Sequence, residues 1–422
     1  MKKSWVLLGA LIWAIGGASW TRLLGTLLVL SVLPTAAWAE RFPAATGQEA
    51  TAAAGRARAG DEIVLADGDF KDLQLTLRSN ATPNHPLRLR ALNEGKTILT
   101  GSPKLLITGD FIEVHGLVFR DCALAAGAGV VFDGSGNSLM TSCRFENCRL
   151  PKGAALVSFR NGAHDNRVAT NQFLKTRYKA VMVVVDDRSL KNGPPVRNRI
   201  DHNLFQDVPP LNANGAETVQ IGQRASPHSD LRTWTLIENN EFVRCDGEAE
   251  IISIKTSSNI IRSNLFRNNR GELVMRHGHD NVINGNRFEG GSGGIRLSGH
   301  GHAVTDNVIR DCRSTGIRLY YGTPDLMHPA SYLPVFDCVI SNNTVLNCGE
   351  GILIGDHKNA SLKDAKWAGP PWFASSVQNC TVAPYSNRIV NNVLTGKAGT
   401  LIKSDDAPQN TIENNTLNER QP

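Results

Sequence analysis

From about residue 165 onward the chain repeats one arrangement of apolar and polar positions. An asparagine is followed two places on by Ile, Val or Leu, three later by a second asparagine, and two later by Phe or an aliphatic residue. "NRVATNQF", "NRIDHNLF", "NIIRSNLF", "NVINGNRF", "CVISNNTV", "NRIVNNVL" and "NTIENNTL" are copies of this unit. Its second asparagine stands at Asn171, Asn203, Asn240, Asn264, Asn286, Asn307, Asn343, Asn392 and Asn415. The intervals return to about 22 residues, with longer gaps where insertions fall.

Within each copy the apolar residues alternate over three to five positions and stop at Asn or Gly, which is strand periodicity. Such runs are too short for a sandwich, and the fixed leucines of a leucine-rich horseshoe are absent. The pattern predicts an all-β fold, a right-handed parallel β-helix whose coils stack at about 4.8 Å. Asparagines recurring at a bend should form an internal ladder of amides. A solenoid end left open would pair with other chains. Residues 44–70, "AATGQEATAAAGRARAGDEIVLADGDF", fit a cap: a short Ala-rich helix before Gly60, then a first strand and turn. "GTPDLMHPASYLPVF" and "GDHKNASLKDAKWAGPPWFASSVQNCTVAPYS" read as long loops that leave the coil and wall a groove.

Residues 1–39 are set apart from this pattern. A basic start at Lys2 and Lys3, a long apolar stretch and the small-x-small sequence Ala37-Trp38-Ala39 predict an export signal cleaved after Ala39, with an uncleaved anchor as the alternative. Residues 40–422 are then a single β-helix domain, periplasmic or extracellular and free of the membrane after cleavage. The formal charge of +6 is halved once Lys2, Lys3 and Arg22 are removed, too little to argue for nucleic-acid binding. Eight cysteines in an exported chain suggest disulfides. However, Cys122, Cys148, Cys245, Cys312 and Cys348 each close a similar short element, which favours stacked thiols. Cys143, Cys338 and Cys380 are left open, and no Cys/His spacing suggests zinc.

Charge is concentrated in "GEAEIISIKTSSNIIRSNLFRNNRGELVMRHG", residues 247–278. Lys255, Arg276, Arg296 and Arg318 follow one another at about one coil each, so they are expected to stack on one sheet. Like charges on neighbouring strands are unfavourable, and a bound polyanion would reverse that sign. Glu248 and Glu250, two apart in a strand, project from one face. A pair of carboxylates on a solenoid edge is more often solvated than metal-binding, but their hard oxygens suit Ca²⁺. Asn214, one enlarged coil earlier, is positioned to add an amide oxygen. Strict alternation from Glu250 would put Lys255 on the opposite face, so a bend or bulge is expected around Ile251 to Ser253.

"NGAETVQIG", "CDGEAEIISIKTSSNIIRSNLF", "GELVMRHGHDNVINGNRF" and "GGIRLSGHGHAV" together resemble the successive motifs of polysaccharide lyase family six, the family of alginate lyases and chondroitinase B. The likeness covers most of the chain after residue 39 and is strongest over residues 210–310. It implies Asn214, Glu248 and Glu250 as calcium ligands, Lys255 as catalytic base and Arg276 as catalytic acid. His277 and Arg296 fall at expected substrate contacts, and Arg318 extends that set by the coil count. "NGAE" departs from the family's usual "NGGE".

The resemblance implies an acidic polysaccharide substrate, alginate first, cleaved by Ca²⁺-assisted β-elimination at a uronate to leave an unsaturated end. Ca²⁺ would neutralise the uronate carboxylate beside the carbon that loses its proton. Three other readings compete with this one: a dermatan sulfate lyase, a mannuronan epimerase, and a β-helix that binds polysaccharide without cleaving it. Oligomeric state is not legible.

Overall fold

The structure is a computed structural model, and it describes residues 39–124, 127–211, 214–324, 331–363, 377–397, 399–404 and 409–420. The expected leader, up to residue 38, lies outside these. Among the described residues no helix is long and apolar enough to cross a membrane.

Three parallel sheets run the length of the solenoid. The first has fourteen strands, from Arg41–Ala44 to Thr411–Glu413; the second has twelve, from Gln74–Asn80 to Ile402–Ser404; the third has thirteen, from Gly68–Lys71 to Thr416–Arg420. Each complete coil gives one short strand to each sheet, as Arg199–Asp201, Leu204–Val208 and Val219–Ile221 do. This is the right-handed parallel β-helix that the repeat predicts.

The turn chemistry explains the corners. The residue before each ladder asparagine is left-handed, with φ of 54° at Thr170, 53° at Asn239, 54° at Ser263 and 57° at Asp306. One such residue swings the chain from the first sheet to the third without a loop. The asparagine that follows points inward. From Asn171 to Asn415, each side-chain amide donates to the side-chain oxygen of the next asparagine at 2.9–3.0 Å. That oxygen also accepts from the previous asparagine's backbone N–H, and the amide's second hydrogen reaches a carbonyl of the preceding coil, as Asn264 does at Ile237, 2.9 Å. A shorter second ladder includes Asn166–Asn198, Asn259–Asn281 and Asn387–Asn410.

Two residues beyond the main ladder, Phe119, Phe145, Phe173, Phe205, Phe242, Phe266 and Phe288 form one inward stack with ring centroids 4.4–4.9 Å apart. The spacing is that of the coils themselves, so the offset-stacked geometry favoured by aromatic pairs comes with the register.

All eight cysteines are free. The thiols of Cys122 and Cys148 touch each other, as do those of Cys312 and Cys348, in agreement with stacked thiols. Cys143 heads the main asparagine ladder and Cys338 stands within the second: their backbone N–H groups donate to Asn171 and Asn387 at 2.9 and 3.0 Å.

The cap is a helix, Gly47–Arg56, opened by a capping box between Thr46 and Glu49, with Ala50 and Ala53 on its buried face. One strand precedes it: Arg41–Ala44 pairs with Glu62–Leu65, so the first sheet begins earlier than the sequence reading placed it. Of the second long loop, Ser361–Lys363 and Val377–Asn379 form an antiparallel pair.

Asn264→Ala removes a ladder rung and strands both a backbone N–H and a carbonyl in the interior. It should cost roughly 2–4 kcal/mol in urea unfolding. Asn284→Ala, on the outer face of the next coil, should cost under about 1 kcal/mol.

Candidate active site

The second sheet carries the charge. Its register pairs Val181 with Val219 and Val219 with Ile252, so Lys179, Glu217 and Glu250, each two residues earlier, come side by side where the strands begin. Ile252 and Ile254 face the core and are fully buried. Alternation from them would bury Glu250 as well. The register against the next strand shifts between Glu250 and Ile252, and Glu250 emerges on the same outer face as Lys255. The expected irregularity is therefore present, at the start of that window.

Glu217 is the hub. One carboxylate oxygen is 3.2 Å from the Lys255 ammonium and the other is 3.2 Å from that of Lys179. Lys179 and Glu217 are only 3% and 2% exposed, and Lys179 also donates to the Gly215 carbonyl at 2.9 Å. Burial by itself would raise the Glu217 carboxyl, but Lys255 and Lys179 outweigh it and hold it below the usual range. Sequence reading passed over both Glu217 and Lys179. The signal was there: each stands two residues before a valine in the apolar phase of its strand, where a charge has no place unless it is paired.

Glu248 has the opposite environment. Burial, then the charges of Glu217 and Glu250, push its carboxyl up to about 8. Its one hydrogen bond to backbone comes from the Gly215 amide at 3.2 Å, and its other oxygen is buried without a partner. Burial would raise Glu250 too, but Arg296, with which it is ion-paired, followed by Lys255 and Arg276, holds it low.

Arg276 lies one coil beyond Lys255. It donates to the Ser331 carbonyl at 2.9 Å and places its guanidinium 3.7 Å from the Tyr332 ring centroid. The described part of the first long loop therefore folds over the sheet, as the groove-wall reading expects. His277 is 3% exposed; burial, then Arg276 and Lys255, keep its imidazole neutral, and its Nδ1 has no partner.

The four cations do not form one column. Lys255 and Arg276 are in register just past their strand ends, whereas Arg296 pairs with Val274 and then with Arg318. The step from Arg276 to Arg296 is two residues shorter than that from Val274 to Arg296, which was visible in the spacing. Nor does the second pair wait for a polyanion. Arg296 is paired with Glu250, and Arg318 with Glu272 and with Asp356 at 3.0 Å. Acidic residues from neighbouring coils supply the opposite sign. Tyr320, stacked 4.2 Å from His357, lies beside both arginines.

Asn214 is exposed at the turn before Gly215. Among the described residues no three acidic, histidine or cysteine side chains converge as a cation cage. The donor chemistry nevertheless fits a hard cation: Glu248 crowds Glu217 and Glu250 and keeps a buried oxygen unbonded.

Residues 45–421 match the family model described as chondroitinase B. No curated protein matches the chain. Among solved structures, the chain is similar to a mannuronic acid specific polysaccharide family 6 lyase from human gut microbiota (26% identity, TM-score 0.72, covering 88% of this chain and 84% of that one). It is also similar to the family 6 polysaccharide lyase Pedsa3628 from Pseudopedobacter saltans (25%, TM-score 0.73, 90% and 94%). A third is the family 6 alginate lyase AlyGC (27%, TM-score 0.74, 89% of this chain), of which it spans about half, 51%.

Glu217→Ala would leave two buried ammonium groups facing each other and should cost about 3–5 kcal/mol in urea unfolding. Adding Lys179→Met should recover part of that loss.

Proposed function

This chain belongs to polysaccharide lyase family six, the chondroitinase B family, and from that premise we propose that it cleaves alginate by β-elimination at uronate residues. The observation that carries the reading is the Lys255 ammonium on buried Glu217 with Arg276 one coil away on the same face. The similar structures, a mannuronic acid specific lyase and an alginate lyase, favour that substrate.

Elimination removes the proton at carbon 5 of a uronate and expels the glycosidic oxygen at carbon 4. Lys255 is the base placed to accept that proton, and Glu217 holds its nitrogen in place. Arg276, steadied by Ser331 and Tyr332, faces the charge that develops on the departing oxygen. A guanidinium holds its proton too firmly to be an efficient acid, so water delivers the proton to that oxygen. His277, next to Arg276, keeps a neutral ring whose unpartnered Nδ1 is buried, so it bonds the sugar only once the site opens to it.

Glu248, with Glu250, Glu217 and Asn214 around it, would hold Ca²⁺, which when bound neutralises the substrate carboxylate and makes carbon 5 more acidic. Arg296 and Arg318 act mainly through their carboxylate partners, and they reach substrate only if those pairs open.

The reading is of an exported enzyme, with the leader removed after Ala39. Dermatan sulfate is the second substrate to test, because the matching family is described as chondroitinase B.

Lys255→Ala should abolish the ultraviolet absorbance of the unsaturated product on alginate; full activity in that variant would falsify the mechanism. Exhaustive chelation should suppress the rate and added Ca²⁺ restore it, whereas an unchanged rate removes the metal. A panel of polymannuronate, polyguluronate and dermatan sulfate, with product sizing, ranks the substrates. Binding without depolymerisation of any of them overturns the enzyme.

A further inference from the structure

The register that aligns Lys255 and Arg276 continues towards the cap through Gly222 and Val184 to Arg160. Gly222 and Val184 carry no charge. At Gly222 an added Cβ would press on the Lys255 backbone and Thr256, so glycine keeps this stretch open next to the proposed base.

Where Arg160 stands, the outer face of the sheet opens into a cavity of about 350 Å³, lined among others by Lys152, Ser158, Arg160, Asp186 and Arg188. Three cations from three separate elements converge here, and among the described residues none has a carboxylate partner. Arg160 donates only to the Ser158 hydroxyl, at 3.3 Å, and its Nε is buried and unbonded. Among the described residues the side chains of Lys152 and Arg188 make no hydrogen bond or ion pair. The nearby acids are committed: Asp186 accepts from the N–H groups of Arg188 and Ser189 as a helix cap, and Asp133, opposite Arg160, is bonded by Asn161. On the same sheet the guanidinium groups of Arg296 and Arg318 are each paired with an acid. This site differs.

The cavity connects to the catalytic end through Lys152, whose stem passes Gly215, the residue that also receives Lys179 and supports Glu248. Arg160 is three coil steps from Lys255, roughly 14 Å. A disaccharide at Lys255 does not reach it, whereas a longer chain lying along the sheet does.

We propose that this cavity is a distal subsite that binds the carboxylate of a second uronate in the same polymer, so that the protein discriminates for chain length. The proposal rests on the uronate-lyase reading for the identity of the anion, and on the unpaired cations for the existence of the site. A planar guanidinium takes a carboxylate in a two-pronged bond, with Lys152 and Arg188 as flanking charges.

The test uses the full chain with Arg160→Ala and, separately, the Lys152→Ala/Arg188→Ala pair. Initial lyase rates are measured on alginate polymer and on its trisaccharide. Migration is measured in native gels cast with alginate or with a neutral polysaccharide. Loss of one charge-assisted contact should lower the polymer-to-trisaccharide ratio of kcat/KM by about tenfold and weaken retardation in the alginate gel alone. An unchanged ratio in an active enzyme overturns the subsite while the lyase reading stands. If the wild-type chain cleaves no uronate polymer, the lyase reading fails and the gels still decide: retardation by alginate that the substitutions abolish keeps the anion site, and retardation they leave intact removes it.

Discussion

Each coil of this solenoid must offer its backbone to the next at the spacing of one strand, and every side chain must accept the neighbour that this imposes. The constraint is severe for polar groups, since an amide placed at a corner in one coil meets an amide in the next. Asparagine turns this into an advantage, because its side chain carries both donor and acceptor and can bond a copy of itself without limit. Phenylalanine does the same for apolar contact. Both stacks run through most of the solenoid.

For charge the same constraint works against stability, and the site is organised by how it is met. Identical charges stacked at coil spacing repel, and on the second sheet four of the cations are each met by an acid. Lys179 meets Glu217, Lys255 meets the other oxygen of Glu217, Arg296 meets Glu250, and Arg318 meets Glu272. Glu248 is left over, pressed between two carboxylates and kept from ionising as an ordinary glutamate would. An enzyme acting on a polyanion needs charges held firmly in place yet not wholly spent. The pairing supplies the first requirement, and its gaps at Glu248 and Arg160 supply the second.

The sequence made the coils legible because a period in sequence becomes a contact in space here. All nine ladder asparagines were readable from one repeat, and so was the irregularity beside Glu250, since two charged residues could not otherwise share a face. What escaped reading depended on position within a strand and not on period. Glu217 and Lys179 each occur once, so no repetition marks them; only their apolar phase does. The separation of Lys255 and Arg276 from Arg296 and Arg318 turned on a two-residue difference in one interval. The contact of Arg276 with Tyr332 comes from a loop that obeys no period, and such contacts stay hidden in any solenoid sequence.

The ladder bond from Asn307 to Asn343 bridges 36 residues and that from Asn343 to Asn392 bridges 49, yet both keep the length found between adjacent short coils. Excursions of the chain leave the spine undisturbed and return to it in step. The walls over the groove can therefore be lengthened, exchanged or remodelled without shifting Lys255 relative to Arg276. In such a molecule, taste for a particular polymer and competence to break it are separate inheritances.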